Sequence, residues 1–140
     1  MEKQSWKIYC LFVQIPEVPE EPTFMTSIAE FAVRVIEIFD SIDNKNDVPN
    51  YEFERSAVLV FLPGFSEIED LRSILLSEKH ESSQWDIIIL HSLISTEEQE
   101  NIFKKPPKNH RRIILSTNIA ESSITVPDVK YGMLYSIKIK

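Results

Sequence analysis

Two apolar runs of this chain set its pattern. One is Ala57-Val58-Leu59-Val60-Phe61-Leu62; the other is Ile113-Ile114-Leu115, entered from Arg112. Short, unalternating runs rich in β-branched residues predict strands covered on both faces, the pattern of a parallel sheet. Asp86 to Leu90 predicts a third such strand and Val129 to Leu134 a fourth. Between them the period becomes helical. Ile28, Phe31, Ala32, Val35, Ile38, Phe39 and Ile42 share one helical face, and Ile68, Leu71, Ile74 and Leu75 share another as far as about Leu76. Each helix has a Ser-x-x-Glu start signal: Ser27 with Glu30, Ser66 with Glu69, and Ser95 with Glu98. The last predicts a helix through Ile102 and Phe103, stopped by Pro106-Pro107. The polar run Asp43-Asn44-Lys45-Asn46-Asp47 ends the first helix near Ile42. Ahead of it, Trp6 to Ile15 fits one further strand. Pro16, Pro19 and Pro22 then impose an extended, linker-like path.

Strand, helix, strand, helix, strand with short connections predicts an α/β fold, a parallel sheet with flanking helices. Such a sheet puts every strand C-terminus on one edge, the usual ligand edge of open α/β proteins. Three polar turns would gather there: Pro63-Gly64-Phe65-Ser66, His91-Ser92 with Ser95-Thr96, and Ser116-Thr117-Asn118 with the Glu121-Ser122-Ser123 and Thr125 cluster behind it. Two of these turns lead into predicted helix N-termini, whose N–H groups favour anions, although Glu97 and Glu98 oppose this at one of them. Backbone amides and hydroxyls suit a phosphate chain and would position a nucleic acid without reading its sequence. Taken alone, the Arg112–Asp128 stretch is equally a strand followed by a Ser/Thr turn whose side chains bond local backbone.

Composition narrows the chemistry. At 140 residues, 43% hydrophobic and 26% charged, the chain suits one soluble core. Its net charge of −7 argues against a nucleic-acid partner, but the distribution is lopsided. Residues 101–140 carry Lys104, Lys105, Lys108, Arg111, Arg112, Lys130, Lys138 and Lys140 against Glu121 and Asp128, a net +6, leaving −13 on the first hundred residues. That asymmetry is consistent with an electrostatic footprint, or with a solvated basic loop at 104–112. Gly64 and Gly132 are the only glycines, so no glycine-rich phosphate loop can be built and the chain alone has no Walker-type ATP site. Cys10 is the only cysteine, and His80, His91 and His110 have no metal-ligand spacing. The apolar run Ile8–Val13 is too short to span a membrane or act as a signal core.

The three turns also match a known pattern. Val58-Leu59-Val60-Phe61-Leu62-Pro63-Gly64 resembles motif IV of DEAH-box RNA helicases. Leu90-His91-Ser92 through Gln99 resembles the LHS…EEQ stretch that follows it, and Ser116 to Thr125 is similar to motif V at nearly every position. The resemblance covers about residues 55–134, the second RecA-like domain of such helicases. Glu21-Pro22, the helix Ala29–Asp40, the exit Phe39 to Asp43 and Val126-Pro127-Asp128-Val129-Lys130-Tyr131 look like the tudor-domain-containing, spindle-E type of germline helicase. On this reading residues 1–23 are a lead-in or linker, 24–134 a partial second RecA-like domain, and 135–140 a divergent tail.

The resemblance implies that Gly64, Ser92, Ser95, Thr96, Thr117 and Asn118 hold the RNA phosphate backbone. It also implies that Phe103 stacks on adenine and that Ser123 and Thr125 face the nucleotide. The plainer reading of Phe103 is packing. Pro127 stands where many members have a ribose-binding side chain, with Asp128 one place on. ATP and Mg²⁺ are implied for the complete enzyme, with no catalytic residue, metal ligand or bound cofactor in this chain alone. The implied partners are RNA, the first RecA-like domain, downstream helicase and tudor domains, and PIWI-pathway proteins, without a membrane. The implied setting is the cytoplasm, in germ granules, with a nuclear pool besides. The implied role is the PIWI-interacting RNA pathway, transposon silencing and meiosis. Two alternatives stay open: a non-catalytic, truncated RNA-binding or interaction module, and an unrelated flavodoxin-like phosphate-binding domain.

Overall fold

The computed structural model describes residues 9–15, 22–45, 57–77, 84–107, 109–117, 126 and 129–137. Its elements are β1 (Tyr9–Ile15), α1 (Pro22–Lys45), β2 (Ala57–Leu62), α2 (Phe65–Leu75), β3 (Trp85–Leu90), α3 (Thr96–Glu100), a 3-10 turn (Asn101–Phe103), β4 (Arg111–Thr117) and β5 (Val129–Ile137). The strands form one sheet in the order β1-β5-β2-β4-β3. Every pairing is parallel. The apolar runs thus behave as their lack of alternation requires. All seven residues of β4 are buried, and in β2 Ala57, Val58, Val60 and Leu62 are.

The two-residue strand period sorts the side chains onto two faces. Val58, Val60, Leu62, Ile113, Leu115, Tyr131 and Met133 pack with α1 and α2 through Ala32, Ile36, Ile68 and Leu71. Ala57, Ile88, Leu90 and Ile114 occupy the other face, which Ile102 of the 3-10 turn covers. The crossover from β2 to β3 runs along the sheet in one direction with α2 on the first face. The crossover from β3 to β4 returns with the 3-10 turn on the second. A reversal of direction combined with a change of face keeps one crossover hand, as twisted parallel sheets demand.

Several expectations change. The sheet extends beyond 24–134 at both ends, because β1 pairs with β5 from Tyr9↔Tyr131 to Ile15↔Ile137. The lead-in supplies an edge strand, and part of the tail continues β5. Helix α1 starts at Pro22, upstream of the Ser27/Glu30 signal, and runs to Lys45. A proline costs nothing at a first helical position, where its missing N–H would have no partner. Helix α2 is capped by Gly64 and not by Ser66: Gly64 is extended, and Ile68 N–H donates to its carbonyl at 3.2 Å. Ser66 therefore lies in the first turn. The third helix is short, passing into 3-10 geometry at Asn101.

The N-terminal edge of the sheet is held by a charge network. Arg111, fully buried, donates from Nε to Asp40 (2.7 Å) and from a terminal nitrogen to Asp43. Trp85 Nε1 donates to Asp40 at 2.9 Å. Asp43 also accepts from Lys130 Nζ (2.6 Å) and Tyr131 Oη (2.9 Å). Neighbouring strand residues normally face opposite ways, yet Lys130 and Tyr131 reach one carboxylate. The register explains this: Ala57 pairs with Val129 and Val58 with Tyr131, so Lys130 is the extra residue of a bulge. Phe39 of α1 stacks on Tyr131 with ring centroids 4.0 Å apart. Arg112 points to the other face, where it donates twice to Asp86 and once to the Ile102 carbonyl, all at 3.0 Å.

This network removes Arg111, Arg112 and Lys130 from any exposed basic footprint in the C-terminal third. Arg111 and Arg112 are buried and ion-paired, and Lys130 is paired with Asp43. All three lie at the opposite edge from the polar turns. Lys108, Lys138 and Lys140 lie outside the described residues. Lys104 and Lys105 are exposed.

Candidate functional site

At the C-terminal edge, three strand ends stand side by side. Leu62 pairs with Thr117 and Leu90 with Ser116, so β4 ends between β2 and β3. At the usual strand spacing the three ends span about 10 Å. The chain leaves β2 into α2 on the first face, whereas Val126, beyond β4, packs on the second. Such an edge, at the carboxyl ends of the strands, is where doubly wound sheets bind ligands.

Gly64 sits just beyond the end of β2 at this edge. Its backbone is extended, which any residue adopts, and a Cβ there would come within 2.9 Å of Glu67 Oε2. The obstacle is the end of a flexible side chain. Gly64→Ala should therefore change stability by no more than about 0.5 kcal/mol, and a thermal melt that drops markedly would show that the turn needs glycine. The same Glu67 carboxylate lies over the α2 N-terminus, while Glu97 and Glu98 occupy the first turn of α3. These acids offset the positive helix ends that the polar turns were expected to offer to anions.

Ser92, Ser95 and Thr96 are exposed in the turn after β3. Ser95 Oγ accepts from Glu98 N–H at 3.3 Å, so Ser95 caps this helix as expected. The turn is tightly specified: Ile94 N–H donates to the His91 carbonyl (3.0 Å) and Leu93 N–H to His91 Nδ1 (3.1 Å). Gln99 Nε2 donates to both the His91 and the Ile94 carbonyls. The His91 ring lies 4.8 Å from that of Phe65, tying this turn to the start of α2 across the end of β4. Phe65 and Gln99 are therefore further parts of this edge, beside the hydroxyl-bearing residues expected to meet phosphate. Their signal was the aromatic beside a helix cap and an amide four residues into the next helix.

The end of β4 differs from expectation. Ser116 and Thr117 are buried, Thr117 at 3% exposure, and Ser116 Oγ donates to the Thr117 carbonyl at 3.1 Å. The strand ends in hydroxyls at this edge but does not lay them open to solvent. Asn118, Ser123 and Thr125 lie outside the described residues. Phe103 is 64% exposed beside fully buried Ile102. Phe103 is therefore not part of either core cluster described above, and it presents an aromatic face. Among the described residues, no group of three or more His, Cys, Asp or Glu is placed to hold a metal ion. Nor is any helix there long and apolar enough to cross a membrane.

A parallel sheet with this order and this polar edge defines a RecA-like α/β domain, and residues 44–139 match the helicase conserved C-terminal domain. The chain belongs to that family. It is 47% identical over 122 residues to the ATP-dependent RNA helicase TDRD9 of Homo sapiens, covering 83% of this chain and 9% of that protein. It is 37% identical over 124 residues to the probable ATP-dependent RNA helicase spindle-E of Anopheles gambiae, covering 83% of this chain and 8% of that one. The chain thus spans under a tenth of the length of these relatives. The fold is also that of the E. coli DExH-box NTPase HrpB: TM-score 0.58 and 21% identity over 93% of this chain and 14% of that one.

Proposed function

We propose that this chain serves as the second RecA-like domain of an ATP-dependent RNA helicase, gripping the RNA phosphate backbone and covering one side of the nucleotide. The observation that carries the reading is the side-by-side placement of the Gly64 turn, the His91–Thr96 turn and the end of β4 at one edge of the sheet, in a member of the helicase C-terminal family. Ser92, Ser95 and Thr96 meet the RNA from the exposed turn. Gly64, Thr117 and Asn118 meet it along the same sheet edge.

The ATP of the complete enzyme fits the exposed Phe103 ring, which offers a base a stacking surface. Ser123 and Thr125 face the phosphate and ribose side. Mg²⁺ and the phosphates are handled mainly by the first RecA-like domain, and closure of the two domains around ATP moves the RNA held here. The likeness to TDRD9 and spindle-E supports a finer reading: action in the PIWI-interacting RNA pathway, with transposon silencing and meiosis, in cytoplasmic germ granules alongside tudor domains and PIWI-pathway proteins.

Thr117→Val tests the RNA contact, because it removes the hydroxyl and keeps the shape of a buried strand residue. Affinity for single-stranded RNA should fall about fivefold to tenfold, the loss of one hydrogen bond to a charged acceptor. The slope of affinity against salt should stay unchanged, since no cation is removed. An unchanged affinity in a folded variant counts against the site. With no glycine-rich loop, the 140-residue chain by itself should hydrolyse no ATP above background, with or without RNA. Sustained turnover would show that a phosphate site exists elsewhere in it.

A further inference from the structure

We infer that Gln99 is a positioning residue: it fixes the turn that meets the RNA by spending both protons of one amide nitrogen on two of that turn's carbonyls. Gln99 Nε2 lies 2.9 Å from the His91 carbonyl oxygen and 2.8 Å from that of Ile94. Those carbonyls bracket Ser92 and Leu93, and Ser95 follows directly. The inference rests on the RNA reading above and adds what holds its exposed side in shape.

Helix α3 cannot hold the turn unaided. It has five residues, buries none of them, and carries Glu97, Glu98 and Glu100. A segment so short is not stable through its own hydrogen bonds. Its attachment comes from Ile102 beneath the sheet and from Gln99 above the turn. The geometry also selects the residue type. Two carbonyl oxygens converge on one atom, so that atom must carry two hydrogens and no negative charge. A glutamine amide nitrogen satisfies both demands, whereas a carboxylate would face two acceptors with no donor. With the clamp in place, Leu93 is held outward at the tip, 70% exposed between Ser92 and Ser95. Binding therefore uses a turn that is already ordered, and loses less to ordering on contact.

The test compares the 140-residue chain with Gln99→Leu, Gln99→Glu and Thr117→Val, using a fluorescein-labelled oligouridine and a thermal melt of each variant. Gln99→Leu keeps the shape and removes both donors. It should bind about tenfold more weakly than the parent at every pH while melting cooperatively. Gln99→Glu should be as weak near about pH 7.5, but recover to within about threefold of the parent near about pH 5.5. Two facing carbonyls favour the protonated acid there, which returns one donor. A role limited to filling space would give the glutamate variant no such recovery. A glutamate deficit equal at both pH values therefore overturns the inference. So does a leucine variant that binds like the parent while Thr117→Val is still weakened, a result that leaves the RNA reading standing. If none of the three variants changes RNA binding, the RNA reading itself fails, and the inference with it.

Discussion

Replacing Asp43 with alanine should cost the fold about 3–5 kcal/mol, the usual penalty for stranding a buried charge. For a chain of this size that lowers the melting temperature by on the order of 10 °C. Asp43 is the acceptor shared by Arg111, Lys130 and Tyr131, and the Arg111 side chain has no exposed surface to which its lost bond can turn. Asp40 still holds Arg111 Nε, which keeps the penalty short of complete loss of folding. Lys130 is partly exposed and can recover water, so Arg111 and Tyr131 carry most of the cost.

The pH dependence separates this mechanism from simple loss of packing. Burial alone would raise the Asp43 carboxyl, but bonds from Lys130 and Arg111, the Arg111 charge and the Tyr131 hydroxyl together hold it below the ordinary 3.8. Its contribution is complete above that unfolded-state value and is lost as pH falls through the lower folded one. Burial alone would lower Lys130, yet Asp43 and Tyr131 hold it above 10.5, so its contribution is complete below that value and fades as pH rises past it. The gap between parent and Asp43→Ala should therefore be widest on the plateau between these limits and narrow on both sides. Denaturant unfolding across that range checks this. A gap below about 1 kcal/mol at neutral pH, or one indifferent to acid, would mean that the network does not hold the sheet edge.

The same network shows where sequence reading stops. β2, β3 and β4 were legible because each is a local event, an apolar run bounded by turn residues, and their parallel order follows from the helices between them. The three-turn edge was legible for the same reason. The pairing of Tyr9–Ile15 with Val129–Ile137 was not, because it joins the two ends of the chain and neither end states its partner. Arg111, Arg112 and Lys130 read as surface charge because their partners Asp40, Asp43 and Asp86 sit between 26 and 87 residues away. The bulge that lets Lys130 and Tyr131 share one carboxylate arises from the fit of β5 against β2, not from either strand alone. Capping signals at Ser27 and Ser66 were outcompeted by Pro22 and Gly64, whose backbone conformations suit a helix start two to five residues earlier. At Thr117 the residue type suits a phosphate edge, but burial depends on what packs over the strand end.

Ile102 and Phe103 are adjacent in sequence and should respond in opposite ways to the same substitution. Ile102 is fully buried against Ala57, Ile88, Leu90 and Ile114, and its carbonyl accepts from Arg112. It covers the second face of the sheet, which carries no long helix among the described residues. Ile102→Ala should cost about 2–5 kcal/mol, transfer and cavity together, with most of the loss falling on this face. Because the 3-10 turn carries α3 with it, the His91–Thr96 turn should loosen as well, and hydrogen exchange should rise there before it rises in β2. Phe103 points away from the sheet, so Phe103→Ala should leave stability within about 0.5 kcal/mol. If the exposed ring is the nucleotide's stacking surface, the same variant placed in the complete helicase should weaken ATP binding by about 1–2 kcal/mol, read as a raised KM. A Phe103→Ala enzyme with unchanged KM would remove Phe103 from the nucleotide site. A stable Ile102→Ala chain would mean that the second face is held by something other than this turn.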